Sequence, residues 1–198
     1  MQSTVQCQQC GDESHCFDAC MDLGLPVPRA AAGEVVPLAH CLRAFMEREE
    51  LDAAYRCERC GADSRRTKAL QVYTPPRTLV LHLKRFSHRS SAGGNVAFGR
   101  RPQFAAMRKD AAEVDVPARL DLRRFCNPAG LRACHVQPHY RLIGVSEHVG
   151  GMGGGHYTAT VRRPRKPRWF HCNDATVTAA DRPDGPSSTA YVLFYRLM

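Results

Sequence analysis

Alternating apolar and polar residues predict that much of this chain forms short β-strands. The pattern is clearest at residues 78–86, where Leu79, Leu81, Leu83 and Arg85 share one face and the intervening residues share the other. The last predicted strand is expected to be buried because it is almost continuously apolar. Further strands are predicted at residues 17–28, 68–73, 115–125, 140–145, 157–161, 169–174 and 190–195.

Four segments depart from the strand pattern. Residues 37–54 have helical periodicity, and the pattern predicts an amphipathic helix that packs on the core. Residues 87–99 are rich in serine, glycine and asparagine and predict a flexible loop, residues 100–115 have no clear pattern, and residues 127–138 predict another excursion from the strands. The apolar face of the predicted helix comprises Leu38, Cys41, Leu42, Phe45 and Met46.

A glycine-rich segment joins the strands predicted at residues 140–145 and 157–161. Five of the seven residues at 149–155 are glycine. Glycine at this density costs folding entropy, which indicates that the backbone bends sharply or approaches another group closely. His156 is the residue before the second strand, so a rigid sheet would fix its position while its side chain faces a mobile loop, as expected for a general base. On this segment alone, a plain hairpin with an incidental histidine fits the pattern equally well.

Ten cysteines include two identical Cys-x-x-Cys-Gly units. Cys7 and Cys10 belong to the first unit, Cys57 and Cys60 belong to the second, and Cys57 follows Cys10 by 47 positions. Each unit aims two thiolates at one point, and four thiolates form the closed tetrahedral set of a structural zinc site, with Zn–S near ~2.3 Å. A redox pair would need only one unit, and a disulfide is disfavoured inside the cell. We therefore expect one structural zinc ion.

Composition and charge narrow the classes of function. The 198 residues are 43% hydrophobic and 24% charged, as in soluble globular proteins. Because no apolar run approaches the ~20 residues of a membrane helix and no signal peptide is recognisable, we expect an intracellular protein of the cytoplasm, the nucleus or both. The formal charge of +9 is compatible with nucleic-acid binding. However, the arginine clusters are short, scattered and without interleaved aromatic residues, which favours a solvated basic surface.

Several short motifs follow the cysteine units in order. They are Leu79-Val-Leu-His-Leu-Lys-Arg-Phe86, Tyr140-x-Leu-x-Gly-Val, His148-x-Gly, Gly155-His156-Tyr157, Trp169-Phe-x-x-Asn173-Asp174-x-x-Val177 and Tyr191-Val-Leu-Phe-Tyr195. From Cys7 to Tyr195 the chain resembles the carboxy-terminal part of the catalytic domain of the ubiquitin-specific proteases, which are papain-like cysteine deubiquitinases. Each motif is short, and their specificity comes from the set.

This resemblance implies an α+β fold of the papain-like, ubiquitin-specific protease type. Its parts would be a fingers region over about residues 1–75, which carries the zinc site, and a mostly antiparallel β palm over residues 76–198, with the amino-terminal thumb missing. Cys7, Cys10, Cys57 and Cys60 match the zinc ligands of the fingers. The implied partners are ubiquitin and ubiquitinated proteins.

The resemblance also assigns roles within the predicted site. His156 matches the catalytic histidine, Asn173 the third position of the triad, and Asp174 the neighbouring acidic position. We expect the amide oxygen of Asn173 to accept a hydrogen bond from Nδ1 of His156, which leaves Nε2 to face a thiol, while Asp174 supplies charge. The alternative for this pair is a simple turn. The glycine segment matches a mobile loop that closes over the tail of ubiquitin, and the residues implied to bind substrate are Gly150, Gly151, Gly153, Gly154, Gly155 and Tyr157.

One departure from the family concerns the nucleophile. The family's cysteine lies in a motif of the type Gly-Asn-Thr-Cys-Tyr, which this sequence lacks. No substitute nucleophile is assigned, and the other histidines are interpreted as structural or surface residues. We therefore expect a partial deubiquitinase that is inactive by itself. The alternatives are a non-catalytic ubiquitin-binding scaffold and a zinc-ribbon nucleic-acid binder, although the latter leaves the His156 and Asn173 motifs unexplained. The cysteines outside the zinc units are Cys16, Cys20, Cys41, Cys126, Cys134 and Cys172.

Overall fold

The computed structural model describes residues 1–31, 33–88, 107–151, 154–164 and 168–198, with the backbone alone at 52–55, 87–88 and 107–108. The helices are α1 (Leu38–Met46), α2 (Pro128–Cys134) and the short 3₁₀ helix η1 (Arg123–Phe125). None of the helices in these ranges is long and apolar enough to cross a membrane. The strands are β1 (Gln2–Cys7), β2 (Glu13–Phe17), β3 (Leu23–Pro26), β4 (Val36–Pro37), β5 (Glu49–Arg56), β6 (Asp63–Gln71), β7 (Thr78–Lys84), β8 (Phe86–His88), β9 (Met107–Lys109), β10 (Val114–Val116), β11 (Arg119–Asp121), β12 (His139–Gly151), β13 (Gly154–Arg162), β14 (Trp169–Asn173), β15 (Thr176–Ala180), β16 (Gly185–Ser187) and β17 (Ala190–Leu197).

Two sheets dominate the fold. The larger has eight strands in the order β15-β14-β13-β12-β17-β7-β3, with β11 paired to β12 beside that path. Its pairs are antiparallel except for the parallel pair of β3 and β7. The second sheet is antiparallel, with the order β2-β1-β6-β5, and two small sheets contain β16-β10-β4 and β8-β9. The predicted α+β class with a mostly antiparallel palm is confirmed.

The core lies against one face of the large sheet. In β7, Leu79, Leu81 and Leu83 are buried, as the alternating pattern predicts, and Arg85 on the same face is also fully buried. β17 runs beside β7 and contributes its own buried side chains to the same layer. Helix α1 covers this layer with its predicted apolar face, although only part of that face is fully enclosed. The buried side chains of α1 are Leu38, Cys41 and Leu42.

The predicted helix at residues 37–54 is too long. Helix α1 ends at Met46, and the backbone at Glu47 is extended, with φ −58° and ψ 140°. The chain then forms β5, which pairs with β6 and brings the second cysteine unit beside the first. Glu, Leu and Ala in this segment favour a helix locally. The backbone hydrogen bonds to β6 override that preference, because they become available only when the four-stranded sheet is assembled.

Two further differences concern short elements. The strand predicted at residues 17–28 is divided, since β2 ends at Phe17 in the small sheet and β3 begins at Leu23 in the large one. The excursion at residues 127–138 contains α2, whose start is marked by Asn127 and Pro128. The side chain of Asn127 accepts a hydrogen bond from the backbone N–H of Ala129 at 2.8 Å, a helix start signal that the sequence analysis missed.

The predicted loop at residues 87–99 lies almost entirely outside the described residues, and β8 occupies its first two positions. The unassigned segment 100–115 contains β9 and the start of β10. The boundary between fingers and palm near residue 75 stays a prediction. Within the predicted fingers, β3 pairs with β7 of the large sheet, and α1 packs on the core.

Candidate active site and metal centre

The hairpin of β12 and β13 positions the predicted catalytic histidine. The two strands pair as far as Gly151 and Gly154, well into the segment that the sequence pattern assigned to a loop. Met152 and the predicted substrate-binding residue Gly153 lie outside the described residues. His156 therefore lies within a continuous ladder, opposite Val149 of β12, and this pairing fixes its backbone position.

Close contacts within this hairpin explain two of its glycines. Gly150 has φ +105°, a conformation that favours glycine, and a Cβ there would lie 2.6 Å from the carbonyl oxygen of Gly154. A Cβ at Gly155 would lie 2.1 Å from Nε2 of His148. At Gly151 a Cβ would meet nothing within 4 Å. Packing inside the hairpin thus requires Gly150 and Gly155, and contact of the glycines with substrate stays a prediction.

His156 and Asn173 are in hydrogen-bonding contact. Nε2 of His156 lies 2.6 Å from Oδ1 of Asn173, which is the last residue of β14. The expected hydrogen bond between the two residues is therefore present, but the prediction that it involves Nδ1 of His156 is wrong. Nε2 rather than Nδ1 faces the amide, so Nδ1 is the nitrogen that is left to face a thiol.

The strand register explains this orientation. Ala159 on β13 is opposite Cys172 on β14, so the next position along the ladder places Asn173 near Thr158 and diagonal to His156. Diagonal neighbours in an antiparallel pair are roughly 7–8 Å apart. The imidazole spans that gap with its distal nitrogen.

Asp174 lies in the tight turn between β14 and β15. Its φ of +48° is left-handed, a conformation that aspartate tolerates better than most residues. The nearest carboxylate oxygen is 4.0 Å from Nε2 of His156, and the Asp174 side chain is 81% exposed. The residue thus forms the predicted turn and also lies within ion-pair distance of the histidine, and its role in catalysis stays a prediction.

An aromatic cluster lies on the hairpin next to His156. The ring of His148 is 4.6 Å from that of Tyr157, 5.4 Å from Phe86 and 5.9 Å from Tyr191, measured between ring centroids. His82 extends the cluster at 4.6 Å from Tyr191. Tyr157 is 54% exposed, so the cluster presents an aromatic surface to solvent. We call these five residues the aromatic cleft.

His148 is buried within the aromatic cleft. Its Nδ1 has no hydrogen-bond partner among the described residues, and the amino group of Lys109 donates a hydrogen bond to its backbone carbonyl. Burial lowers the pKa of the His148 imidazole, and the nearby Lys109 lowers it further. The sequence analysis interpreted His148 and His82 as structural or surface residues. Alternation along residues 78–86 places His82 and Phe86 on the face opposite Leu81 and Leu83, but their contact with the ring of Tyr191 and with His148 depends on strand pairing that the sequence pattern does not give.

Arg85 holds together the backbone around the aromatic cleft. Its guanidinium donates hydrogen bonds to the carbonyl oxygens of Ala190 at 2.7 Å, Ala112 at 2.7 Å, Ser187 at 2.9 Å and Asp110 at 3.2 Å. Burial lowers the pKa of this guanidinium. Since Ala190 precedes Tyr191 and Asp110 follows Lys109, the buried arginine fixes both flanks of the cleft.

The two cysteine units meet at the end of the four-stranded sheet. The sulfur atoms of Cys7, Cys10, Cys57 and Cys60 all lie within 4.8 Å of one another, close enough to ligate a single metal ion. Sγ of Cys10 is 3.7 Å from Sγ of Cys57. Tetrahedral Zn–S bonds near 2.3 Å imply about 3.8 Å between sulfurs, so the donor set fits zinc.

Local hydrogen bonds repeat in both units and favour the thiolate at Cys7 and Cys57, whereas at Cys10 the backbone N–H of Asp12 is outweighed by burial and the neighbouring thiols, which raise the pKa to about 12. The backbone N–H of Gly11 donates to the carbonyl of Cys7, and the N–H of Gly61 donates to the carbonyl of Cys57. The hydroxyl of Ser64, 2.9 Å from Sγ of Cys7, lowers the pKa of Cys7 to about 6 together with backbone N–H groups. Backbone N–H groups likewise lower the pKa of Cys57. The thiolate is the form in which cysteine binds a metal ion.

Comparisons with known proteins agree with these features. Residues 1–195 match the family described as ubiquitin carboxyl-terminal hydrolase. The chain is 38% identical over 201 residues to ubiquitin carboxyl-terminal hydrolase 2 of Gallus gallus and 37% identical over 203 residues to ubiquitin carboxyl-terminal hydrolase 21 of Homo sapiens. Each alignment includes 100% of this chain, but only 50% and 32% of the respective relative.

Solved structures of deubiquitinating modules also match this chain over its full length. The SAGA deubiquitinating module of a Ubp8 variant with Sgf11, Sus1 and Sgf73, bound to monoubiquitin, matches with a TM-score of 0.78 at 27% identity, over 100% of this chain and 40% of that one. The Ubp8 module bound to ubiquitin aldehyde matches with a TM-score of 0.76 at 25% identity, over the same shares. This chain thus spans half or less of the length of these relatives. The family match, the curated relatives and the fold together show that the chain belongs to the ubiquitin carboxyl-terminal hydrolases of the ubiquitin-specific protease type.

Proposed function

We propose that this chain supplies the histidine, the orienting asparagine and the tail-binding cleft of a thiol-dependent deubiquitinase. The observation that carries the proposal is the 2.6 Å contact between His156 and Asn173 at the edge of the aromatic cleft. The bond cleaved would be the one at the carboxy-terminal glycine of ubiquitin. The partners would be ubiquitin and ubiquitinated proteins, and the setting would be intracellular.

The geometry supports different roles for the two ring nitrogens of His156. Nε2 is held by Asn173, and Nδ1 would accept the proton of a cysteine thiol. The thiolate would attack the carbonyl carbon of the terminal glycine, and the imidazolium would return the proton to the leaving amine. Water would then hydrolyse the thioester. Asp174, at 4.0 Å from Nε2, would stabilise the imidazolium without replacing Asn173 as the hydrogen-bond partner.

The aromatic cleft lies beside His156 and offers an exposed ring against which the end of ubiquitin would bind. Tyr157 presents the exposed ring, while His148 and Tyr191 form the wall behind it. The ubiquitin tail would therefore pass over the exposed ring of Tyr157, beside the tight hairpin at Gly150 and Gly155.

The nucleophile is proposed to come from another segment. Burial raises the pKa of Cys41 to about 11 and that of Cys126 to about 12, which keeps both thiols protonated at neutral pH. Cys172 directly precedes Asn173 in β14, so its side chain points to the opposite face of the sheet. We therefore propose that the 198-residue chain alone does not cleave ubiquitin conjugates.

Zinc is the metal proposed for the four-cysteine cluster. Cys7, Cys10, Cys57 and Cys60 would hold one ion as a closed structural site, with no open position for a catalytic water. Bound zinc would cross-link the β1–β2 and β5–β6 turns and so stabilise the far end of the four-stranded sheet.

Complementation tests the proposed activity. The chain would be fused to, or co-expressed with, an amino-terminal segment that carries the Gly-Asn-Thr-Cys-Tyr motif, and turnover of a fluorogenic ubiquitin amide would be measured. His156→Ala should lower kcat by about 10²–10⁴-fold, and Asn173→Ala should lower it less, by about 10- to 100-fold. Cleavage by the 198-residue chain alone, abolished by mutating one of its own cysteines, would contradict the proposal.

The non-catalytic alternative rests on the aromatic cleft, whose rings are in contact in this chain without any added segment. If the complemented protein shows no turnover, titration of isotope-labelled ubiquitin with the chain distinguishes the outcomes. Chemical-shift changes at the ubiquitin tail that disappear with Tyr157→Ala would support a binding protein. An absence of shifts would exclude both readings.

A further inference from the structure

A large cleft separates the four-stranded sheet from helix α1. Its volume is about 900 Å³, within the range of roughly 300–1,000 Å³ for ligand-binding clefts. Its described lining comes from β1, β2, β6, α1, β11 and η1 with their flanking residues. None of these residues belongs to the strands that carry His156, Asn173 or the aromatic cleft, so the proposed activity leaves this cleft unexplained.

Strand register and helix periodicity define two of its walls. Thr4 on β1 is opposite His15 on β2 and opposite Ala69 on β6, so these three side chains lie on one face of the sheet. On the facing wall, Ala39, Arg43 and Met46 follow one another at helical spacing along a single side of α1. Ala39 and Met46 also pack against the core, so the cleft lies beside the core-facing side of α1, with Arg43 at its margin.

Two arginines of the cleft form few or no side-chain hydrogen bonds and ion pairs with the described part of the chain. In the described part of the chain, the side chain of Arg124 has no hydrogen bond or ion pair, and that of Arg43 makes one long bond of 3.4 Å to a carbonyl of its own helix. The other two lining arginines are engaged. Arg123 is bound to Asp121, and Arg48 donates to Thr67 at 3.1 Å. Arg43 and Arg124 are thus available to a ligand.

The lining also contains unmet hydrogen-bonding capacity and apolar surface. Gln2 is only 5% exposed, and its Oε1 has no partner among the described atoms. A buried polar atom without a partner is uncommon and costs free energy. Close to it, Leu70 and Phe125 join the methyl and thioether groups of Ala39 and Met46 in lining the cleft.

We propose that this cleft binds an acidic, partly apolar peptide segment of a partner protein. Carboxylates of the peptide would pair with Arg43 and Arg124, and an aliphatic side chain would pack on the apolar lining. A nucleic-acid backbone fits less well, because a continuous run of phosphates would lie against the apolar lining of Ala39, Met46 and Leu70. The peptide would bind while the aromatic cleft is occupied.

Binding of a synthetic probe tests the proposal. The probe is a short fluorescein-labelled peptide in which glutamate and aspartate alternate with leucine, and its anisotropy is followed during titration with the 198-residue chain. The double variant Arg43→Glu with Arg124→Glu should weaken binding by about tenfold or more, since two charge-assisted contacts are lost. The matched control is Arg119→Glu with Arg141→Glu, which changes the charge equally on the exposed strands β11 and β12. It should change binding by less than about twofold.

A steric variant gives an independent readout. Thr4→Trp places an indole in the cleft, and it should abolish binding while zinc content and circular dichroism stay at the level of the parent chain. Equal losses in the two charge-reversed pairs would show non-specific attraction and overturn the proposal. So would displacement of the peptide by a single-stranded oligonucleotide of equal charge, or a dimer of the chain that dissociates on Thr4→Trp.

Discussion

At the scale of single residues, the hydrogen atom of Gly155 decides how closely β13 approaches the ring of His148. The His148 ring packs directly over the Gly155 backbone, at a distance where the smallest side chain would overlap it. His148 in turn contacts Tyr157, Phe86 and Tyr191. One glycine therefore sets the shape of the whole aromatic cleft.

Gly155→Ala should destabilise the fold and disturb the cleft. A Cβ 2.1 Å from Nε2 of His148 forces the ring or the strand to move, and overpacking of this kind costs about 1–3 kcal/mol. Denaturant unfolding gives the change in free energy. Gly151→Ala is the matched control in the same hairpin, because its Cβ would meet nothing within 4 Å. Equal effects of the two substitutions would contradict this account.

The buried histidines predict a dependence of stability on pH. Burial lowers the pKa values of His148 and His82, so the folded state binds fewer protons than the unfolded state near and below pH ~6.5. Their contribution to stability is complete above the unfolded pKa and is lost as the pH falls below it. Proton NMR of the imidazole signals should give midpoints below ~6.5 for both residues. A midpoint above that value for His148 would refute the assignment.

At the scale of elements, α2 forms where its local sequence favours a helix, whereas β5 forms a strand although its local sequence favours a helix. Helix α2 begins where its local signals place it, with Asn127 as N-cap and Pro128 next. β5 forms against local preference, because its pairing with β6 is stronger than the helical tendency of the segment. Glu49 also forms an ion pair with Lys68 of β6 at 3.5 Å, which is consistent with that pairing.

Removal of the N-cap should be measurable. Asn127→Ala deletes the acceptor of two backbone N–H groups and should cost about 1 kcal/mol, or a decrease in Tm of about 2–4 °C for a chain of this size. Asn127→Asp preserves the cap and should recover most of the loss. Because Asn127 also donates to Gln71 at 3.2 Å, Gln71→Ala measures that second contact separately. An Asp variant as unstable as the Ala variant would assign the effect to Gln71 instead.

At the scale of the molecule, four cysteines join two turns that are distant in the sequence. We expect a metal bound as a closed tetrahedral site to contribute directly to the folding of the four-stranded sheet. The large sheet has its own hydrophobic core, so we expect it to depend less on the metal. Loss of the metal is therefore expected to act on one sheet more than on the other.

Metal analysis should find one zinc ion per chain, and Cys57→Ser should lose it. Chelation should broaden or shift amide NMR signals of β1, β2, β5 and β6, while signals of β7 and β17 persist, because the two groups belong to different sheets. Cys172→Ser is the control and should retain the metal, since Cys172 lies in β14. A disulfide between the two cysteine units in place of zinc would refute the site.

The sequence by itself determined the parts of this protein that depend on short-range pattern. Two repeated cysteine units predict the four-thiolate cluster. Alternation along residues 78–86 predicts that Leu81 and Arg85 share a face, and both are buried. The motifs around His156 and Asn173 identify two side chains that lie 2.6 Å apart in the structure. The cysteine cluster and the buried face of β7 were predictable because each resides in the type and spacing of neighbouring residues, whereas the pair of His156 and Asn173 was identified through the family that its motifs resemble.

Only the tertiary structure decided the features that depend on pairing between distant segments. Helix α1 ends at Met46, and β3 belongs to the large sheet. Nε2 of His156 faces Asn173, and Arg85 donates hydrogen bonds to four carbonyl groups. The tertiary structure also forms the cleft between α1 and the four-stranded sheet. Periodicity states which face of a segment is apolar, but it does not state which other segment covers that face. Hydrogen bonds between strands far apart in the chain settle that choice.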